Sequence, residues 1–246
     1  MKLLLALALT LSLGAVACGS TNGSSVGETP PQPEATTAAP APTAAPTEQP
    51  QSLEGRFSYG EMDQYLDAIE PMVQQFFDEQ YPQLPDPRLV YIPSGRVART
   101  ACGASDGAAY EYCGGNQTIY VGQDLLWAFY RQAGDAAPAL ALAHEWGHHV
   151  QVMLGVPFAS TAAQSVNFEN QADCFAGAWA RYADDQGWLE TEDDLQDVGK
   201  LMQLIGSGES SQRDHGTVAE REAAFEKSYE GGLKACNAYY PNDPVA

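Results

Sequence analysis

Basic residues are scarce in this sequence. Its 246 residues include 12 Lys and Arg against 32 Asp and Glu, which gives a formal net charge of −20. A chain with this negative charge repels the phosphates of nucleic acids and of anionic lipid surfaces. Neither is therefore expected as an electrostatic partner. No stretch indicates a protein partner, and we interpret the charge as a contribution to solubility.

The run of apolar residues at the start of the chain is too short to span a membrane. Leu3–Val16 follows Lys2 and leads into small residues, which predicts a signal peptide over residues 1–17. The ending G-A-V-A-C-G-S at 14–20 resembles a bacterial lipobox, although Ala15 stands where leucine is usual. This predicts lipidation of Cys18 and an anchor at the extracytoplasmic face of the cell membrane. Ordinary secretion is the alternative.

Aromatic residues are missing from Gly19–Gln51, which is rich in Gly, Ser, Thr, Ala, Pro and Glu. Such a stretch cannot bury enough apolar area to fold, so we predict that residues 18–52 form a disordered tether beginning at the lipidated cysteine. The remaining residues, 53–246, are numerous enough for one domain with its own core.

Cysteine is infrequent, and none of the five cysteines lies in a C-x-x-C pair. With Cys18 assigned to lipid, an even set of four remains in an exported chain. We expect these four to form the disulfides Cys102–Cys113 and Cys174–Cys236. Zinc ligation by these cysteines is the alternative, but their spacing does not match a zinc ribbon.

The most informative stretch reads H-E-x-x-H, from His144 through Glu145 to His148. It lies in an apolar run that Pro138 can open and Gly155 can end as a helix. Histidines four residues apart share one helix face and can ligate one Zn²⁺. The glutamate between them is placed to take a proton from a water that the metal activates. Two core histidines with a solvated glutamate are the alternative.

A catalytic zinc usually has three protein ligands, so a third must come from elsewhere. The metzincin pattern would place a histidine six residues after His148, but Leu154 stands there. Glu169 and Asp173 share one face of a second predicted helix. Glu169 can be the third ligand, and Asp173 can accept the other ring N–H of a ligand histidine. Alone, this pair would be read as a solvated face; with His144 and His148 it predicts one Zn²⁺ per chain.

The stretches H-E-W-G-H-H-V-Q at 144–151 and Q-A-D-C-F-A-G-A-W-A at 171–180 resemble the bacterial predicted neutral zinc metallopeptidases. The resemblance covers about Leu89–Tyr229, and that family is similar to the thermolysin-type gluzincins in the logic of its ligands. It implies peptide-bond hydrolysis, with His144, His148 and Glu169 as ligands and Glu145 as the base.

The segment Asp214-His215 lies just before a predicted helix with a capping box at Thr217. His215 can donate a hydrogen bond to the oxyanion that forms during hydrolysis, and Asp214, or an acid elsewhere, can fix its tautomer. The resemblance agrees, since gluzincins place a histidine beside the metal for this purpose. An exposed loop histidine is the alternative. We interpret Arg221, on the same helix, as part of a surface ion pair rather than as an electrostatic helper.

The periodicity predicts a mainly helical α+β fold with a small sheet. The resemblance implies that this fold is a zincin-like domain built around two crossed helices. The predicted helices cover Met62–Phe77 with a bend at Pro71, Asp124–Arg131, Pro138–Leu154, Thr161–Gln186, Leu195–Ile205 and Thr217–Gly231. Arg88–Ile92 and Gln117–Val121 are predicted strands. The second is either a plain core strand or, by analogy with gluzincins, an edge strand that pairs with extended substrate.

Acidic residues cluster around the connection between the predicted helices Thr161–Gln186 and Leu195–Ile205. The cluster comprises Asp184, Asp185, Glu190, Glu192, Asp193 and Asp194. No Asp-x-Asp-x-Asp-Gly calcium loop is present, so we interpret the cluster as a solvated face.

Together these features predict a zinc-dependent peptidase that acts on a peptide or protein substrate outside the cytoplasm. Glu145 would take the proton of the attacking water and later pass it to the leaving amine. Two alternatives stay open: a surface-binding lipoprotein with a structural or non-catalytic zinc, and a zinc amidase that acts on the cell wall.

Overall fold

The H-E-x-x-H motif lies on a long buried helix in the computed structural model of the chain, which describes residues 52–189, 192–206, 208 and 213–246. This helix, α3, spans Ala137–Leu154 and has Pro138 in its first turn. Gly155 ends it in the left-handed region with φ 77°, which a residue with a side chain rarely adopts. Both predicted boundaries of the motif helix are confirmed.

Six helices and five strands make up the described part of the chain. The helices are α1 Met62–Gln80, α2 Gln123–Gln132, α3, α4 Ala162–Asp185, α5 Glu192–Ile205 and α6 Val218–Gly231. The strands are β1 Arg88–Ile92, β2 Val97–Thr100, β3 Gly103–Asp106, β4 Tyr110–Cys113 and β5 Thr118–Gly122. Short 3₁₀ helices, Tyr59–Glu61 and Leu233–Ala238, flank the set. The mainly helical α+β fold predicted from the sequence is confirmed, and α1 continues through Pro71.

Helices α3 and α4 approach closely where Gly147 faces the second helix. A Cβ atom at Gly147 would lie 2.9 Å from Cβ of Phe175 and 3.2 Å from Cα of Ala172. No side chain fits in that space, so the glycine inside the motif lets the two ligand-bearing helices pack together. On its other side α4 packs against α6, where a Cβ at Gly177 would lie 2.1 Å from the carbonyl oxygen of Phe225.

The core is built from the apolar faces that the periodicity predicts. On α1 these buried side chains are Met62, Tyr65, Leu66, Ile69, Val73, Phe76 and Phe77. Phe77 stacks on Trp146 of α3 with ring centroids 5.1 Å apart and planes inclined by 15°. The motif helix is therefore fixed by aromatic packing on the side that faces away from His144 and His148.

The main sheet has three strands in the order β1-β5-β4. β5 pairs in parallel with β1 and antiparallel with β4, while β2 and β3 form a separate antiparallel hairpin. β5 is thus the central strand and is buried along its length. Of the two interpretations of Gln117–Val121, the plain core strand is confirmed and the substrate-pairing edge strand is wrong. The edge beside the motif helix is β4, which the sequence did not indicate.

Both expected disulfides are present. Cys102–Cys113 closes the hairpin onto β4, and Cys174–Cys236 ties the C-terminal 3₁₀ helix to α4. The second bond lies in the core, with both cysteines 0% exposed.

The acidic cluster is only partly solvated. Asp193 and Asp185 are exposed, but Asp194 is 6% exposed and lies near Asp135 and Asp197. The prediction of a solvated face is wrong for Asp194, because the helix turn that exposes Asp193 points its neighbour inward. Glu190 lies outside the described residues.

The predicted signal peptide, Cys18 and the tether up to residue 51 also lie outside the described residues. Among the helices that are described, none combines the length and the apolar character needed to cross a bilayer.

Candidate metal centre

Three side chains from α3 and α4 converge on one point. His144 Nε2 lies 3.3 Å from Glu169 Oε2, and His148 Nε2 lies 3.4 Å from Glu169 Oε1. The two imidazole rings are 4.7 Å apart and nearly perpendicular. The helical spacing of the motif brings the histidines together, and the close packing at Gly147 brings the glutamate to them.

The geometry of this trio fits a metal ion. One ligand atom from each residue lies within 4.8 Å of the others. Tetrahedral ligands at zinc–ligand distances of about 2.0–2.1 Å are separated by about 3.3 Å, close to both measured distances. Glu169 Oε2 is buried without a hydrogen-bond partner. A buried carboxylate oxygen is costly to leave unpaired. The trio therefore has the ligand atoms of a zinc site and a buried oxygen that a bound cation would pair.

Asp173 supports the first histidine from behind. Its Oδ1 lies 2.9 Å from His144 Nδ1 and accepts a hydrogen bond from Arg221 Nη2 at 2.7 Å. Burial opposes the charge on His144, but Asp173 and Glu169 raise the pKa of this imidazole to about 10 in the metal-free protein. Burial would likewise raise the pKa of Asp173, yet the charges of Arg221 and His144 hold it below its ordinary value.

Arg221 is not part of a surface ion pair, as the sequence had suggested. Its side chain is 3% exposed, and that of its partner Asp173 is 1% exposed. The prediction is wrong because the carboxylate that pairs with it lies 48 residues upstream on α4, facing the metal centre.

The second histidine has an amide behind it instead of a carboxylate. His148 Nδ1 lies 2.8 Å from Oε1 of Gln151, one turn further along α3. On its open side the His148 ring stacks on Phe168, with centroids 5.2 Å apart. The pKa of His148 is raised, since Glu169 outweighs the effect of burial.

Glu145 lies beside the trio without joining it. The backbone N–H of Tyr112 on β4 donates to its Oε2 at 2.7 Å. Burial raises the pKa of Glu145, while His144 and His148 counteract that rise. A carboxylate held at one oxygen, with a raised pKa and next to a metal site, is suited to general-base work.

The structure also brings His215 to the centre. Its Nε2 lies 3.4 Å from Glu169 Oε2, and its Nδ1 lies 2.9 Å from Oδ1 of Asp214. Arg213 holds the loop by donating to the carbonyl oxygen of His215 at 3.2 Å and to the carboxylate of Glu220. The side chain of His215 is 42% exposed, so it faces both the centre and solvent.

A cavity of about 150 Å³ opens next to this group. Its apolar wall is formed by Leu125, Phe129, Leu140, Leu201, Met202 and Ile205. His144, Glu145 and His215 border the same cavity. An apolar side chain bound there would be adjacent to the metal centre.

Gln151 and Tyr112 are not among the site residues predicted from the sequence. Gln151 lies between two valines in the apolar run of the motif helix, and it is 0% exposed. A glutamine in such a run was an available signal of a buried amide with hydrogen-bond partners. Tyr112 contributes through its backbone N–H, which every residue except proline carries, so its identity offered no signal.

Comparison with known proteins finds uncharacterized bacterial relatives of this chain. The uncharacterized protein YpfJ of Escherichia coli (strain K12) is 33% identical over 195 residues, which are 67% of this chain and 66% of that protein. The uncharacterized protein Rv2575 of Mycobacterium tuberculosis (strain ATCC 25618 / H37Rv) is 33% identical over 169 residues, 56% of this chain and 57% of the relative. The chain therefore spans just under two thirds or less of these relatives.

No solved structure gives a significant match. The model of one protein family, described as "Putative neutral zinc metallopeptidase", matches residues 7–239, nearly the whole sequence. This chain belongs to that family.

Proposed function

We propose that this protein is a zinc-dependent peptidase that hydrolyses peptide bonds outside the cytoplasm and is tethered to the membrane through lipid on Cys18. The observation that carries the proposal is the position of Glu145. It lies next to three converging ligands, His144, His148 and Glu169, and its own carboxylate is held by Tyr112. A purely structural zinc site has four ligands and needs no such neighbour.

The residues divide the chemistry among them. His144, His148 and Glu169 would hold a Zn²⁺ ion, which supplies Lewis-acid activation of water and of the substrate carbonyl. Glu145 takes the proton of the attacking water on its raised-pKa carboxylate and hands it to the leaving amine. The Tyr112 N–H fixes the carboxylate in place during both transfers.

His215 is the donor for the oxyanion in this proposal. Its Nδ1 lies against Asp214, so Asp214 accepts one ring proton. In the imidazolium form Nε2 also carries a hydrogen, which can be donated beside Glu169, where negative charge would develop on the carbonyl oxygen. A donor at such a position is worth about 2.7–4 kcal/mol in comparable sites.

Substrate binding is supported by two neighbouring features. β4 is one of the two edge strands of the three-stranded sheet, and its Tyr112 N–H contacts Glu145, so an extended peptide can run along it. The cavity beyond Glu145 and His144 accepts a large apolar side chain next to the scissile bond. We therefore propose a substrate with an apolar residue flanking the cleaved bond.

The test is hydrolysis by the purified chain before and after zinc removal. A peptide library and purified cell wall are offered in parallel, with zinc content measured on the same samples. Zinc-dependent cleavage of peptides supports the proposal, and release of cell-wall fragments without peptide cleavage would favour an amidase. Zinc bound at full occupancy without hydrolysis of either substrate would contradict an enzymatic role. Incorporation of a labelled fatty acid, lost in Cys18→Ser, tests the anchor.

A further inference from the structure

A chain of buried hydrogen bonds connects the zinc-ligand candidate His148 to the C-terminal disulfide. Gln151 Oε1 faces His148 Nδ1 at 2.8 Å, and Gln151 Nε2 donates to Gln171 Oε1 at 3.0 Å. Gln171 Nε2 in turn donates to the carbonyl oxygen of Cys236 at 3.0 Å. We call the side chains of Gln151 and Gln171 the amide relay. It crosses from α3 over α4 to the C-terminal 3₁₀ helix.

The direction of the relay is determined by backbone carbonyls. Gln151 Nε2 donates to the carbonyl oxygen of Phe168 at 2.8 Å and also to Gln171. These two bonds use both N–H groups of the Gln151 amide. Turning the Gln151 amide over would place its oxygen against two other oxygens. Turning Gln171 over would do the same at Cys236. Since carbonyl oxygens only accept, both amides keep one orientation.

This orientation sets the tautomer of the histidine. Because Gln151 presents its oxygen to His148, Nδ1 carries a proton. In the neutral ring, the form that binds a metal, the lone pair is then on Nε2, which points towards Glu169. That is the form in which imidazole ligates a metal through Nε2. Gln151 and Gln171 are both 0% exposed, so solvent water is not at hand to replace a lost partner.

The far end of the relay is anchored by a covalent bond. Cys174 lies on α4 one turn after Gln171, and its disulfide to Cys236 has a Cα–Cα distance of 5.6 Å. The disulfide therefore holds the Cys236 carbonyl over the Gln171 amide. Without it, only non-covalent packing would keep the C-terminal segment at that distance.

We infer that Gln151 and Gln171 are positioning residues for the zinc site and that the Cys174–Cys236 disulfide acts through them to hold His148 in its metal-binding tautomer. The inference rests on the proposed function, since it assumes that His148 binds zinc. It assigns to the disulfide a role in metal affinity in addition to its role in folding.

A double-mutant cycle on zinc affinity tests this coupling. The variants are Gln171→Met, which keeps the shape but removes the amide, the pair Cys174→Ala/Cys236→Ala, and their combination. Loss of such a partner typically weakens metal binding about 10–100-fold. If the disulfide acts through Gln171, the combined variant should bind zinc no more than about threefold weaker than Gln171→Met alone, because the two changes break the same path.

The other disulfide provides the matched control. Cys102→Ala/Cys113→Ala removes a bond of the same kind that no hydrogen bond connects to His148 among the described residues. Its zinc affinity should equal that of the wild type. The inference is overturned if Gln171→Met binds zinc within about twofold of the wild type, or if the effects of the cycle simply multiply.

The wild-type protein offers a second measurement in case a variant does not fold. Nitrogen-15 NMR of the zinc-loaded protein should show a His148 Nδ1–H proton that exchanges slowly, and an Nδ1 without a proton would overturn the inference. Wild-type zinc binding is measured in the same titrations. Its absence would refute the proposed function, whereas tight binding that survives Gln171→Met would refute only the relay.

Discussion

Arg221 donates from Nη2 to Oδ1 of Asp173 at 2.7 Å, and both side chains are almost completely buried. The same Oδ1 atom lies 2.9 Å from His144 Nδ1, so one carboxylate oxygen joins an arginine on α6 to a ligand histidine on α3. The pair couples the last helix to the metal centre.

Replacing Arg221 with Met should destabilise the domain by about 3–5 kcal/mol, because Asp173 would be left charged and buried without its partner. Arg181 is the control, since it forms an exposed pair with Asp185 at 3.1 Å. Arg181→Met should leave the unfolding midpoint unchanged. Chemical denaturation of the metal-free proteins measures both. A cost of less than about 1 kcal/mol for Arg221→Met would show that the pair is unimportant for stability.

Zinc binding should release protons at neutral pH. The pKa of His144 is raised to about 10 in the metal-free protein, so at pH 8 its imidazole is protonated, whereas zinc binds the neutral ring. Binding at pH 8 should therefore release about one proton or more, and apparent affinity should rise about tenfold or more per pH unit below pH 10. Calorimetric titration in two buffers of different ionisation enthalpy counts the protons. A heat that is identical in both buffers, after correction for buffer–zinc binding, would contradict the raised pKa.

His215→Ala should keep zinc and fold but lower kcat by about 100- to 1,000-fold, the usual effect of losing one oxyanion donor. KM should change far less, because the interaction forms as charge develops on the carbonyl oxygen. His215→Gln retains an N–H donor and should recover part of the rate. Steady-state kinetics on a peptide found in the library screen measures all three proteins. A wild-type kcat in His215→Ala would return this residue to the role of an exposed loop histidine.

Local patterns were sufficient to predict much of the fold and the convergence of the site residues. Thr217 and Glu220 form the capping box that starts α6, with Glu220 Oε2 2.8 Å from the Thr217 N–H. The spacing of His144 and His148 on one helix face follows from helix geometry alone. Such features depend on neighbours three or four residues away, which the sequence displays directly.

Most of the features that the sequence did not reveal depend on distant partners. The order of the strands places β5 in the centre because β1, some 30 residues earlier, pairs with it in parallel. Short strands such as β3, with the sequence G-A-S-D, lack the apolar alternation that marks a strand. Arg221 and Gln171 look like ordinary polar residues until the packing of α3, α4 and α6 shows what they contact.

The central claim is that Glu145 acts as the base of a zinc hydrolase, and Glu145→Gln tests it most directly. The amide keeps the size of the side chain and an oxygen for the Tyr112 N–H, but it cannot take a proton. Zinc content and peptide hydrolysis should be measured on the same preparations of wild type and variant. The account predicts about one zinc per chain in both, with hydrolysis lower by about 10²–10⁴-fold in the variant. Equal rates of hydrolysis in the two proteins would contradict it.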